Sequence, residues 1–244
     1  MEEYYEANSG IVIKGLCKNF GDKQVLKNVD LDIGKGMFGL LGRNGAGKTT
    51  FMRILSGLIR KSEGEVRVCG VPVENNREIR NMTGYLPQEF SFYPDMTVYQ
   101  SLDYLALLSG LDKKTRKERV AKLITMVNLD DKKRAKFKLL SGGMKRRLGI
   151  AQALIGDPKV LIVDEPTAGL DPEERVRFRN ILSDIAKDRV VILSTHIVED
   201  VEKTCENIAV LREGQLIYNG RLEEFIGNEN DLESAYIKRI FLMI

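Results

Sequence analysis

Histidine appears once in this chain of 244 residues, at position 196, and cysteine three times, at 17, 69 and 205. None of them has the spacing of a metal site. The scattered, odd number of thiols argues against a disulfide framework and for a reducing, intracellular setting. Long apolar runs are missing as well. Nothing approaches the roughly 18 residues that cross a bilayer, so any work at a membrane would need a second polypeptide to span it. The opening Met1–Glu6 is acidic and has no apolar core, which reads as no secretory leader. Excess charge of one sign is scarce too: 38 basic against 35 acidic side chains leave a formal net charge of +3, too little to imply a nucleic-acid partner. The cations do gather, at Lys113–Arg119, Lys132–Lys138 and Lys145–Arg147. They read either as solvated helix faces or as attraction to anionic lipid headgroups. What is present is a chain long enough for one α/β domain to bury about 70–75% of its unfolded surface without staples.

One helix start is written against the usual rules. In Leu140-Ser141-Gly142-Gly143-Met144-Lys145-Arg146-Arg147 the serine is a good N-cap, but two glycines follow it, each costing about 1 kcal/mol relative to alanine. Three cations then stand in or just past the first turn, where the helix dipole disfavours positive charge. Asp171-Pro172-Glu173-Glu174 shows that the chain can open a helix well, with an acidic cap, proline at the first helical position and carboxylates in the first turn. Bare N–H groups beside glycines and cations fit an anion such as phosphate. The plainer reading is a frayed surface helix.

A second phosphate site lies about a hundred residues earlier. Gly36–Leu41 reads as a buried strand, followed by Gly42-Arg43-Asn44-Gly45-Ala46-Gly47-Lys48-Thr49-Thr50 and then a helical pattern through Leu58. This is G-x-x-x-x-G-K-[ST] in its required strand–loop–helix setting. The glycines let successive N–H groups face phosphate oxygens, Lys48 reaches the β- and γ-phosphates, and the Thr49 hydroxyl can hold Mg²⁺. Downstream, the apolar run Val160-Leu161-Ile162-Val163 ends in Asp164-Glu165. Carboxylates at the C-terminal end of a buried parallel strand sit at the ligand crevice of an open α/β sheet. There Asp164 supports a metal and Glu165 orients or deprotonates a water, unless the pair merely faces solvent. Val190-Val191-Ile192-Leu193 leads to Ser194-Thr195-His196, which aims the lone histidine at the same crevice or leaves it structural.

These motifs, in this order and spacing, resemble the nucleotide-binding subunit of an ATP-binding cassette (ABC) ATPase over roughly residues 10 to 226. Gly42–Thr50 corresponds to the family's Walker A motif, Leu140–Met144 to its signature, Val160–Asp164 to its Walker B strand, Glu165 to its catalytic carboxylate, Ala168–Asp171 to its D-loop and His196 to its switch histidine. Gln88, in Tyr85-Leu86-Pro87-Gln88, matches the glutamine that links metal and water to a partner. Phe20 falls where an aromatic, commonly tyrosine, stacks on adenine. The resemblance thus implies ATP held by Phe20, Gly42, Asn44, Gly45, Gly47, Lys48, Thr49 and Thr50, and faced by Ser141, Gly142 and Gly143 of a second cassette. It implies Mg²⁺ supported by Thr49, Gln88 and Asp164, and hydrolysis served by Glu165, His196 and Gln88. It also implies head-to-tail pairing of two cassettes, identical or not, on a transmembrane permease subunit, with this chain cytoplasmic at the inner face of the membrane. No nucleic acid is expected.

The fold so implied is α/β: a P-loop NTPase core with a mainly parallel sheet, an antiparallel β subdomain and an inserted α-helical subdomain. The whole chain, 1–244, then forms one nucleotide-binding domain, with core about 10–88 and 140–226, insert about 89–139 and a last helix about 231–244. Residues 11–40 and 64–73 alternate apolar and polar positions around turn glycines, as an antiparallel sheet does. In the insert, Thr97 with Gln100 makes a capping box. It opens a stripe of Val98, Leu102, Leu105 and Leu108, and Val120, Leu123, Ile124 and Val127 make a second. Phe90, Phe92, Tyr93 and Tyr99 either pack locally or receive the membrane subunit. The apolar end Ile240–Ile244 should dock on the domain or a partner. Leu41–Gly47, Tyr85–Gln88, Ser141–Arg147 and Leu232–Tyr236 resemble subunits that power exporters of drugs, peptides or polysaccharides. Two rival functions stand beside this: a soluble ABC ATPase acting on ribosome or nucleic acid, and a nucleotide-binding regulator without catalysis. The absence of a second cassette or coiled-coil insertion speaks against the first. The joint presence of Lys48, Glu165 and His196 speaks against the second.

Overall fold

The computed structural model of the protein describes residues 10–241. Its strands are β1 (Ile11–Phe20), β2 (Lys23–Ile33), β3 (Gly36–Leu41), β4 (Glu63–Val68), β5 (Val71–Pro72), β6 (Thr83–Leu86), β7 (Val160–Asp164), β8 (Val190–Thr195), β9 (Asn207–Arg212) and β10 (Gln215–Arg221). Its helices are α1 (Lys48–Leu55), α2 (Asn76–Met82), α3 (Val98–Leu108), α4 (Lys113–Met126), α5 (Gly142–Ala153), α6 (Pro172–Ala186), α7 (Val198–Glu202), α8 (Leu222–Ile226) and α9 (Leu232–Phe241). The strands form an antiparallel sheet in the order β2-β1-β4-β5 and a six-stranded sheet in the order β10-β9-β3-β8-β7-β6. The second is parallel except at its β9–β10 edge. This is the expected fold class, with one correction: β3, inside the 11–40 stretch read as antiparallel, joins the parallel sheet instead.

The parallel strands are apolar without interruption because both of their faces are covered. Phe38, Leu40, Val160, Ile162, Val190 and Ile192 face a core shared with the antiparallel sheet and with Phe51, Met52, Ile54 and Leu55 of α1. Their neighbours Leu41, Leu161, Val163, Val191 and Leu193 face the opposite core, which is continuous with α5, α6 and the helical insert. The pleat thus splits each strand between two cores. Register then fixes the crevice. Leu41 lies opposite Thr195 and Asp164 opposite Ser194, so the segments after β3, β7 and β8 leave the sheet at one edge.

The insert holds two α-helices, α3 and α4, and the capping box forms: Gln100 N–H donates to Thr97 Oγ1 at 3.2 Å and Thr97 N–H to Gln100 Oε1 at 2.9 Å. Val98 and Leu102 are buried with Val120, Leu123, Ile124 and Val127, whereas Leu108, expected in the stripe, is 65% exposed. Phe90, Phe92 and Phe137 form an edge-to-face chain against the same core and Tyr99 packs on it as well, which answers for three of the four aromatics in favour of local packing and leaves Tyr93 exposed. The expectations for Met1–Glu6 and for the docking of the Ile240–Ile244 side chains lie outside the described residues. α9 seats itself through buried Leu232 and Ala235, and Arg239 stacks on Phe225 of α8 at 4.5 Å.

Candidate active site

α1 opens without a side-chain cap and with no acid in its first turn, so its N–H groups and dipole are left for a ligand. Gly47 precedes it in the left-handed region at φ 107°, and a Cβ there would meet Leu26 Cδ2 at 2.9 Å and Val25 O at 3.1 Å. Handedness and space both demand glycine. Lys48, buried, folds back: its Nζ donates to the carbonyl of Gly42 at 2.5 Å and stands 3.6 Å from Glu165 Oε1. Around it opens a cleft of about 640 Å³, lined by Arg43, Asn44, Gly45, Gly47, Lys48, Thr49 and Thr50, by Gln88, Asp164 and Glu165, and by Lys23, Lys27 and Glu213.

Asp164 ends β7 with 2% of its surface exposed. Its Oδ2 accepts from Thr49 Oγ1 at 3.0 Å and from Tyr85 Oη at 3.4 Å, while Oδ1 is buried without a hydrogen-bond partner. Burial pushes the Asp164 carboxyl above its ordinary range, with the nearby Glu165 charge adding to it and the Thr49 hydrogen bond opposing. Burial, with the same Asp164 charge, pushes the Tyr85 phenol up to about 12. A hard divalent cation bound through one carboxylate, one hydroxyl and the oxygens of a phosphate matches these donors, and the orphaned Oδ1 is what such an ion would satisfy. Glu165 adopts φ 47°, uncommon for a residue with a Cβ and a frequent mark of functional sites. Its N–H donates to Ser194 O at 2.8 Å, and its Oε2 lies 2.7 Å from His196 Nδ1 and accepts from His196 N–H at 3.3 Å. A carboxylate poised between Lys48 and a half-exposed imidazole is equipped to hold and activate a water.

The other candidate residues lie apart from this cluster. Phe20 is 51% exposed at the end of β1, with Lys18 Nζ 4.6 Å from its ring centroid, and it does not line the cleft. Nor do Ser141, Gly142 and Gly143. Ser141 caps α5 as expected, accepting from Met144 N–H at 3.2 Å, and Ser141 and Gly142 are exposed. The cations behind them are a correction. Arg147 is buried and donates to Glu174 at 3.2 Å and to the carbonyls of Val127 and Asn128 at 2.9 and 2.6 Å. Arg146 donates to the carbonyl of Gln88 and lies over the Phe90 ring. Two of the three charges read as anion-attracting are therefore spent inside the chain. Gly143 also has an internal reason, since a Cβ there would stand 2.4 Å from Glu174 Oε2, whereas at Gly142 a Cβ would meet nothing within 4 Å.

The sequence pattern of the family described as "ABC transporter" matches residues 26–168, which is more than half of the chain and takes in the phosphate loop, the signature and the Asp164–Glu165 strand end. The chain belongs to the ABC transporter family. It is an ATP-binding subunit of that family, and such subunits are ATPases. An uncharacterized ABC transporter ATP-binding protein of Bacillus subtilis is 36% identical over 213 residues, 87% of this chain and 71% of that protein. The Nod factor export ATP-binding protein I of Cupriavidus metallidurans is 38% identical over 220 residues, 89% of this chain and 73% of that protein. A cyanobacterial relative from Synechocystis is 39% identical over 85% of this chain, which spans only 60% of that protein's length. Among solved structures, CbiO1 from Clostridium perfringens, part of the ABC transporter complex CbiONQ, superposes with a TM-score of 0.83 at 27% identity, covering 97% of this chain and 96% of its own.

Several residues of this ABC ATPase site escaped the sequence reading. Lys23, Lys27 and Glu213 line the cleft from strands and a turn that carry no motif. The turn has a readable signal in hindsight: Glu213-Gly214 is a tight hairpin, and Gly214 N–H donates to Ala46 O at 3.0 Å while its carbonyl accepts from Lys27 N–H at 2.8 Å. The phosphate loop is thus propped from β9–β10, some 170 residues downstream of it in the chain.

Proposed function

We propose that this chain powers an exporter as one of two cassettes that close head to tail around two MgATP, working from the cytoplasmic face on a separate transmembrane permease. The observation that carries the reading is the division of the site. Lys48, Thr49, Asp164, Glu165 and His196 meet in one copy, while Ser141 and Gly142 at the start of α5 are exposed and, with buried Gly143, stand outside the cleft. A γ-phosphate held by one copy supplies the anion that α5 of the other lacks. In this reading Gly42, Asn44, Gly45, Gly47, Lys48, Thr49 and Thr50 cradle the triphosphate and Phe20 stacks on adenine. Thr49, Asp164 and Gln88 would hold Mg²⁺, which when bound neutralises developing phosphate charge. Glu165 orients the attacking water, His196 stabilises Glu165 and the γ-phosphate, and Gln88 relays the state of the site to the permease. ATP acts by stabilising the closed pair over the open one, and hydrolysis removes that differential.

Export is favoured by the Nod factor export relatives. For the permease, an exposed apolar patch of Tyr93, Tyr104, Leu107 and Leu108 on the helical insert offers a docking face. The deciding experiment is sedimentation of Glu165→Gln with saturating MgATP: a dimer that Ser141→Arg abolishes supports the reading, and a strict monomer, even with the co-purified permease present, overturns it. Transport direction is read from inverted vesicles carrying both subunits, where ATP-driven uptake into the lumen marks an exporter.

A further inference from the structure

Asp200 carries a charge with none of its surface exposed. Its carboxylate accepts hydrogen bonds from Thr167 Oγ1 and from Arg179 Nη1, the latter at 2.8 Å, and its backbone carbonyl accepts from Thr204 Oγ1 at 2.5 Å. Thr167 is 1% exposed and Arg179 8%. These three side chains come from three segments. Thr167 stands two residues after Glu165, across Pro166; Asp200 stands four residues after His196, in α7; Arg179 belongs to α6.

A buried ion pair is a poor way to gain stability, since apolar side chains of the same volume would fill the space without desolvating two charges. What a hydrogen-bonded charge cluster does better is fix direction. Here the direction matters, because the segments it joins carry the two groups that meet at 2.7 Å, Glu165 Oε2 and His196 Nδ1. On the sheet side that meeting is held by the Glu165 N–H bond to Ser194 O. On the far side, Pro166 restricts the backbone between Glu165 and Thr167, Ile197 N–H donates to Thr195 Oγ1 at 3.0 Å, and the Asp200 cluster closes the ring.

We infer that Asp200 is a positioning residue for hydrolysis: through Thr167 it holds the Glu165 loop in register with the His196 segment, and Arg179 neutralises it there. Arg179 and Glu199, whose Oε1 lies 3.7 Å from Arg179 Nη1, are the other charges of the cluster. The inference rests on the reading of Glu165 and His196 as the pair that handles water, so the test includes a variant of that pair.

The test compares steady-state hydrolysis by the full chain with its permease for the parent, Thr167→Val, Thr167→Ser and Glu165→Gln. Valine keeps the shape and removes only the hydroxyl. Thr167→Val is expected to lose about tenfold in kcat, as for a displaced catalytic group, with KM for MgATP within about twofold of the parent. Thr167→Ser, which restores the donor, should return kcat to within about twofold. A folded Thr167→Val that keeps the parent kcat while Glu165→Gln is slowed overturns the brace alone, as does a loss confined to KM. Parent-like turnover by Glu165→Gln overturns the reading of the pair and the brace with it. Should Thr167→Val not fold, Asp200→Asn takes its place. It keeps the volume and one acceptor oxygen, and an unchanged kcat in that variant would equally reject the inference.

Discussion

Arg146 Nη1 donates to the backbone oxygen of Gln88 at 2.5 Å, with its guanidinium over the Phe90 ring. The residue that lines the phosphate cleft and the helix that begins at Ser141 are therefore tied together. Gly149, one turn further along α5, has no side chain where a Cβ would stand 2.6 Å from Phe90 Cζ and 2.7 Å from Leu86 Cδ1. α5 and the segment 86–90 pack as a unit. Arg146→Ala should leave MgATP affinity within about twofold and lower turnover by about five- to tenfold, since it loosens positioning rather than binding. Lysine should not restore the rate, because it lacks the planar group that stacks and donates at once. Equilibrium nucleotide binding and steady-state hydrolysis on the same preparations check this.

Arg147 and Glu174 make the opposite kind of contact, one that holds the fold. Removing the arginine strands the carbonyls of Val127 and Asn128 in a buried region and leaves Glu174 with Arg177 alone as its cationic partner. Arg147→Met should lower the unfolding free energy by about 3 kcal/mol, the cost of breaking a buried pair from one side. The double variant Arg147→Met with Glu174→Met should recover part of it. Urea titrations of four proteins, the parent, Arg147→Met, Glu174→Met and the double variant, set out as a double-mutant cycle, give the coupling.

The raised Asp164 carboxyl has a consequence for stability in EDTA without nucleotide. A carboxyl whose folded pKa lies above its unfolded value destabilises the folded state at high pH, where it is charged in both states. That cost fades as pH falls through the raised value and is gone below the ordinary value of 3.8. Asp164→Asn should therefore raise Tm near neutral pH. The gain should shrink as the pH is lowered through the raised pKa. Magnesium and ATP should reverse the order, stabilising the parent more than the variant. Melting curves across pH with and without MgATP test both statements.

Gly214 sits at φ 82° with a would-be Cβ 2.3 Å from Val25 O. Gly214→Ala forces the β9–β10 turn away from β2 and loosens its hydrogen bond to Ala46 in the phosphate loop. We expect Tm to fall by several degrees, about 2–3 kcal/mol of strain and lost contact, and MgATP to bind at least about tenfold more weakly, which is roughly 1.4 kcal/mol. Unchanged affinity in the folded variant would show that the turn does not support the loop.

Much of the molecule was legible because its determinants are local. The strand–glycine–helix run at Gly36–Leu55, the cap at Ser141, the Thr97–Gln100 box and the apolar strand ending in Asp164 each lie within about twenty residues or fewer, inside the reach of hydrophobic period and helix-end chemistry. So did the contrast between the two helix starts: Asp171 accepts from Glu174 N–H at 2.9 Å, as a good opening does. What was misread had a neighbour elsewhere. Arg146 and Arg147 looked like free cations because Gln88 and Glu174 are 58 and 27 residues away. Residues 36–40 looked like more of the antiparallel sheet because alternation says nothing about which strand lies alongside.

By itself, the amino-acid order determined the element types, the phosphate loop with its lysine and threonine, and the pairs of groups at each strand end. Only the tertiary structure decided that Thr49 meets Asp164, that His196 reaches Glu165, that Asp200 is buried on Arg179, and that Gly143 makes room for a glutamate of its own chain. The physical reason is range. Backbone hydrogen bonding and side-chain periodicity act between near neighbours, whereas charge pairing in a core depends on which faces the packing brings together, and that is settled by the burial of the whole chain at once.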